Sequence, residues 1–222
     1  MTPQMGLTLS ALLFVGLHFL LSHPLRAPLV RAMGEGPFRA VYSFIALATF
    51  GGMIWFYDII GREPQLWAVG DAHWIAGSLL MWLGAILFVG SFIGNPALPG
   101  ARRPSGPPRG VFAITRHPMM WGFALWGIVH LMVVATAKAL VFDGAIIVLA
   151  LAGAAMQDRK KQGQMGARGS SWHEWSARTA FVPFARGLAS PGLFAFLAGT
   201  ALLLAATWLH PGHAAGPWRW LG

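Results

Sequence analysis

The chain has 222 residues, of which 56% are hydrophobic and only 10% charged, with no cysteine and a formal net charge of +9. A soluble domain carries about 25% charged residues, so this chain lacks the polar cover of a water-facing globule, and its Gly and Pro punctuate long apolar runs without forming a disordered tract. The missing cysteine excludes disulfides, thiolate zinc sites, iron–sulfur clusters and cysteine nucleophiles, and the basic excess reads as cytoplasmic loops of a membrane protein, with no nucleic acid partner implied.

Six apolar stretches, residues 5–21, 41–57, 73–93, 119–137, 139–156 and 191–209, can each cross a hydrocarbon core about 30 Å thick, which takes roughly 17–25 helical residues. They predict an all-α fold, a polytopic membrane helix bundle forming one transmembrane domain over residues 1–222 and surrounded by lipid bilayer. The first stretch has neither the basic leader nor the cleavage pattern of a signal peptide and is read as a helix. After it come Arg26, Arg31 and Arg39; after the third stretch come Arg102, Arg103, Arg109 and Arg116. After the fifth come Arg159, Lys160, Lys161, Arg168, Arg178 and Arg186. Thirteen of the sixteen basic residues thus fall on one side, against Arg62, Lys138 and Arg219 on the other, where Asp58, Glu63, Asp71 and Asp143 also lie. The positive-inside rule makes the three basic loops cytoplasmic and puts both termini outside.

The loops differ in character. The fourth and fifth stretches almost touch, which places Lys138 and Asp143 at a tight outer turn. Residues 95–108, rich in Pro and Gly, read as an irregular connection. Residues 158–186 form the largest non-spanning segment, with a flexible centre at 163–170. Within it, residues 171–180 carry Trp172 and Trp175 at helical spacing and predict a short amphipathic helix on the inner interface. Asp158 with Arg159 and Lys160 reads as an ordinary charge cluster at the inner boundary. No internal repeat and no glycine-rich phosphate loop is found.

The chemistry rests mainly on eight histidines: His18, His23, His73, His117, His130, His173, His210 and His213. Ionisable groups inside a bilayer are costly and commonly functional, and only His18 and His130 fall well within spans. Each either hydrogen-bonds a neighbouring helix or ligates a buried cofactor. Without cysteine, haem would take histidine, methionine or tyrosine as its axial ligand, histidine being the usual one. At about 1.5 Å per residue, His18 lies about 5 Å and His130 about 17 Å from the inner ends of their helices. A level pair therefore needs a longer first helix or strongly tilted helices; His210, at the outer end of the sixth helix, is the fallback partner. Arg116 and His117, where the chain enters the fourth helix at Pro118, are either snorkelling and capping residues or an anion site beside free backbone N–H groups. His23, His173 and His213 read as loop or interface residues.

Residues 119–131, MMWGFALWGIVHL, preceded by Ile114-Thr115-Arg116-His117-Pro118, resemble the signature of the NnrU family of bacterial membrane proteins. Three further segments carry the same likeness: His18 and Ser22 followed by Leu25-Arg26, Leu29-Val30, Gly34-Glu35 and Phe38-Arg39; Asn95-Pro96; and Ala177-Arg178-Thr179 with Pro183-Phe184. The resemblance implies an inner-membrane location and a link to denitrification and nitric oxide metabolism. The family is similar to the plant and cyanobacterial zeta-carotene isomerase, a haem b membrane enzyme, whose histidine ligands align with His18 and His130. A cysteine of that enzyme is Gly127 here. The likeness implies haem b at His18 and His130, with possible isomerase-like or redox chemistry on a lipid-like or polyene small molecule against Phe14, Trp121, Phe123 and Trp126. A more distant likeness, to isoprenylcysteine and phospholipid methyltransferases, matches Arg116, His117 and Pro118 and implies an S-adenosylmethionine site. The tyrosine expected after the proline is Met120 or Trp121, and the paired downstream glutamates are replaced by Asp158-Arg159. A non-catalytic accessory role is the remaining alternative.

Overall fold

The computed structural model describes residues 1–98, 106–163, 167–210 and 215–221, with side chains omitted for 167–170. The described residues hold nine α-helices and no strand: α1 (Pro3–Ser22), α2 (Arg26–Met33), α3 (Glu35–Ile60), α4 (Asp71–Gly90), α5 (Val111–Ile114), α6 (Pro118–Val134), α7 (Ala137–Gln162), α8 (Ala167–Arg178) and α9 (Leu193–Trp208). A 3₁₀ turn, Gly216–Trp220, follows. All six predicted spans are helical, as α1, α3, α4, α6, α7 and α9. Four of these, α1, α3, α4 and α7, are long and apolar enough to cross a membrane, while α6 and α9 have 17 and 16 residues. At 1.5 Å per residue those two reach about 25 Å. The whole is a helical membrane bundle.

Local chemistry sets the helix ends. Thr2 caps α1, its hydroxyl oxygen accepting the Met5 N–H at 3.3 Å, and Pro3 takes the first helical position. Gly34, at φ +85°, separates the short basic α2 from α3, which therefore starts six residues earlier than hydropathy suggests. Pro118, without an N–H to leave unbonded, opens α6.

The chain divides into two compact units, Met1–Val69 with His130–Leu149, and Gly70–Val129 with Ala150–Gly222. In the first unit α1 lies along α3. Gly52 permits this closeness, since a Cβ there would lie 2.9 Å from the Ser10 hydroxyl. The turn between α6 and α7 is two residues long, with Ala135 in the left-handed region at φ 57°. Lys138 sits there as expected: its backbone N–H donates to Glu63 at 2.8 Å, its ammonium to the carbonyls of Gly61 (2.6 Å) and Tyr57 (3.2 Å). Asp143 does not share that turn. It is 3% exposed, more than a helical turn further along α7, where helical phase carries it inward.

The second unit is built on α4, crossed by α6 and α9. Gly84 and Gly122 face each other, a Cβ on Gly122 coming within 3.1 Å of the Gly84 carbonyl, and a Cβ on Gly199 would lie 2.6 Å from the Ile86 backbone. Such small-residue crossings are how apolar helices gain contact where lipid offers no hydrophobic contrast. The Trp82 indole N–H donates to Thr200 at 2.8 Å across the α4–α9 pair. The predicted amphipathic helix exists as α8 but begins at residue 167, within the segment expected to be flexible; residues 164–166 lie outside the described residues. Nor is α8 only a surface element. Trp172 and Trp175 are buried with Phe112, Ile114 and Leu125 in the core of this unit.

The basic split yields an orientation test. Alkaline phosphatase fused after Gly222 is expected to be active, and a fluorescent protein active only in the cytoplasm is expected to stay dark there. The reverse pattern would overturn the orientation.

Candidate functional site

His18 lies on the last full turn of α1 with its Nδ1 2.6 Å from the Phe14 carbonyl oxygen. A carbonyl only accepts, so Nδ1 carries the proton and Nε2 the lone pair. The ring is bracketed by Phe14, centroids 4.5 Å apart, and by Tyr42 of α3 at 5.4 Å. Ser22 donates to the Tyr42 hydroxyl at 3.3 Å, fixing that ring in turn. This neutral imidazole, oriented by a bond through its other nitrogen, is the form in which histidine binds a metal. His130 is partly buried near the end of α6 and belongs to the same unit as His18. His18 precedes Ser22 by four residues and His130 follows Pro118 by twelve, about 6 and 18 Å along their helices. The observed helix ends thus leave in place the offset read from sequence. Among the described residues no three His, Asp or Glu side chains converge as metal ligands.

The second unit holds a denser cluster. Asp158, on α7, takes the Arg116 guanidinium on one oxygen, with Nε at 2.8 Å and Nη2 at 2.6 Å. Its other oxygen lies 2.8 Å from His117 Nε2 and accepts the Trp172 indole N–H at 3.2 Å. Arg116 is a permanent cation, so Asp158 stands as a carboxylate and His117 Nε2 as the donor. Residues 114–117 are strapped to 179–184. The Arg116 N–H donates to the Ala180 carbonyl (2.8 Å), the Thr115 hydroxyl to that of Phe181 (2.6 Å), and the Phe184 N–H to that of Ile114 (3.1 Å). Arg116 Nη1 reaches the Thr179 carbonyl at 3.2 Å, and Trp121 donates to the Phe181 carbonyl at 2.8 Å. The anion-site reading of Arg116 and His117 is accordingly filled from within, by Asp158. His117 is buried, its side chain only 1% exposed.

The remaining sequence candidates scatter. Phe14 does touch His18, but Trp121 serves the 179–184 strap and Phe123 meets Phe88 edge to face with centroids 5.3 Å apart. His73 caps α4, its Nδ1 accepting the Gly70 N–H, and His173 is exposed on α8. His210 donates from Nδ1 to the Ala206 carbonyl at 3.2 Å, and His23 ends α1. Arg102, Arg103 and His213 lie outside the described residues. Asp158 and Trp172 escaped the sequence reading as site residues. The signal was present: between Asp71 and Glu174 the chain has only two acidic residues, Asp143 and Asp158. A half-buried arginine in that stretch has few possible counter-ions.

Compared with known proteins, the chain matches the family profile described as NnrU protein over residues 6–215. No curated protein and no solved structure matches it.

Proposed function

The chain belongs to the NnrU protein family, and on that premise we propose that it is an inner-membrane haem b protein in which His18 and His130 would hold the iron, linked to denitrification and nitric oxide metabolism. The observation that carries the reading is His18: Nδ1–H is tied to the Phe14 carbonyl, and Nε2 keeps its lone pair inside a membrane helix. Donor chemistry supports the group, because a chain without cysteine offers neutral imidazole as its best iron ligand, and the offset between His18 and His130 would require strongly tilted helices to bring both to one iron. Phe14 and Tyr42 hold the His18 ring in one orientation, so little rotamer entropy is lost on ligation. Bound haem would supply an iron capable of one-electron or isomerase-like chemistry on an apolar, polyene-type molecule. The purified protein from haem-replete cells is expected to be red, with one haem b per chain. A colourless, folded preparation would sink the reading and leave a non-catalytic accessory role in front.

The methyltransferase reading ranks below it for a specific reason. The Arg116 guanidinium and His117 Nε2, the donors that would hold S-adenosylmethionine, already bond Asp158 and the Thr179 carbonyl. A cofactor carboxylate would have to displace a buried ion pair, which costs several kcal/mol by order of magnitude. Calorimetric titration with S-adenosylmethionine is expected to give no saturable heat. A clean isotherm abolished by Arg116→Ala would put methyl transfer first.

A further inference from the structure

Beside the Asp158 cluster lies a partly open cavity of about 80 Å³, lined by Met119, Met120, Leu98, Asn95 and Gln157 together with His117 and Arg116. His117 Nε2 is committed to Asp158 as a donor. Nδ1 therefore holds the lone pair, and among the described residues no group hydrogen-bonds it. A histidine serving only as a structural clamp normally has both nitrogens satisfied in the protein. Here the free acceptor belongs to a ring that lines a cavity, and the opposite nitrogen is fixed by a buried carboxylate. That pairing of carboxylate and imidazole locks the tautomer and supports the imidazolium once a proton arrives, as in hydrolase triads. The walls are mixed. Met119, Met120 and Leu98 suit an apolar body, while the Asn95 and Gln157 amides suit a polar head.

We propose that His117 and Asp158 form a proton-accepting dyad whose Nδ1 receives the hydroxyl of a small, largely apolar ligand, such as a phenol or a lipid alcohol, whose hydroxyl end enters this cavity through its open side. The hydroxyl proton is shared with or passes to Nδ1 and its electron pair stays on the ligand oxygen. The resulting imidazolium is held by Asp158, and the ligand body lies against the two methionines. This site is independent of any haem at His18 and His130, which belong to the other unit.

The test uses 4-nitrophenol as the probe, because its absorption moves to longer wavelength as its hydroxyl proton is given up. The purified full chain in detergent is expected to give a saturable red shift. His117→Gln should weaken binding about tenfold, the equivalent of one hydrogen bond near 1.4 kcal/mol. Asp158→Asn should do the same while keeping a similar shape, since an amide can donate to Nε2 and turn Nδ1 into a donor. Met120→Trp, which fills the cavity and leaves the dyad intact, should abolish binding even if the polar variants fail to fold. His173→Gln should change nothing. A wild-type protein with no saturable shift, a cavity holding water alone, overturns the proposal. So does a shift that survives both His117→Gln and Met120→Trp.

Discussion

Asp158→Ala is expected to lower the unfolding temperature by roughly 10 °C. The substitution strands three donors at once: a guanidinium whose side chain is 14% exposed, an imidazole and the Trp172 indole. Breaking a buried pair by removing one partner costs about 3–5 kcal/mol, most of it from the charge left without compensation. For a chain of this size each kcal/mol shifts the midpoint by about 2–4 °C. Because most of the loss comes from the unpaired charge, the double replacement Arg116→Met with Asp158→Leu should recover part of it, although His117 and the Trp172 indole still lose their acceptor. Glu174→Ala, which removes an exposed partner of Arg178, should stay within error, because solvent already screens that pair. Thermal unfolding in detergent followed by circular dichroism checks all three. An Asp158→Ala protein that melts with the wild type would mean that the cluster does not hold the 114–117 strap in place.

How much of this was legible in the sequence differs from residue to residue. The spans were readable because hydropathy over about 20 residues is a one-dimensional signal, and α1, α4 and α7 overlap their predicted stretches closely. The early start of α3 was not, since Glu35, Gly36 and Arg39 are polar or helix-poor and the helix is continued through them from its apolar body. The motif Thr115-Arg116-His117-Pro118 was found, but its partner was not. Asp158 is 42 residues from Arg116, and nothing local distinguishes it from the boundary charges Arg159 and Lys160. Only the fold brings it to the guanidinium. Asp143 shows the same limit in reverse. Its position near Lys138 suggested a shared outer turn, and helical phase buried it instead. For His18 the sequence gives the depth, whereas the tautomer that favours ligation needs the Phe14 carbonyl at 2.6 Å.

Loss of either proposed axial ligand is the other large effect expected. Two neutral imidazoles would hold the iron, so removing either one should weaken haem retention and displace its absorption. His18→Ala also removes the ring that Phe14 and Tyr42 meet edge to face, so haem retention should fall most steeply there. His23 and His173 lie at a helix end and on an exposed face and serve as internal controls, because replacing them alters histidine content without touching either candidate ligand. Absorption spectra of the five purified proteins, recorded at matched protein concentration with helix content verified, decide the matter. The account predicts an intense Soret band in the wild type, His23→Ala and His173→Ala, and its loss or severe displacement in His18→Ala and His130→Ala. A Soret band unchanged in both His18→Ala and His130→Ala, or absent from the folded wild-type protein, would contradict it.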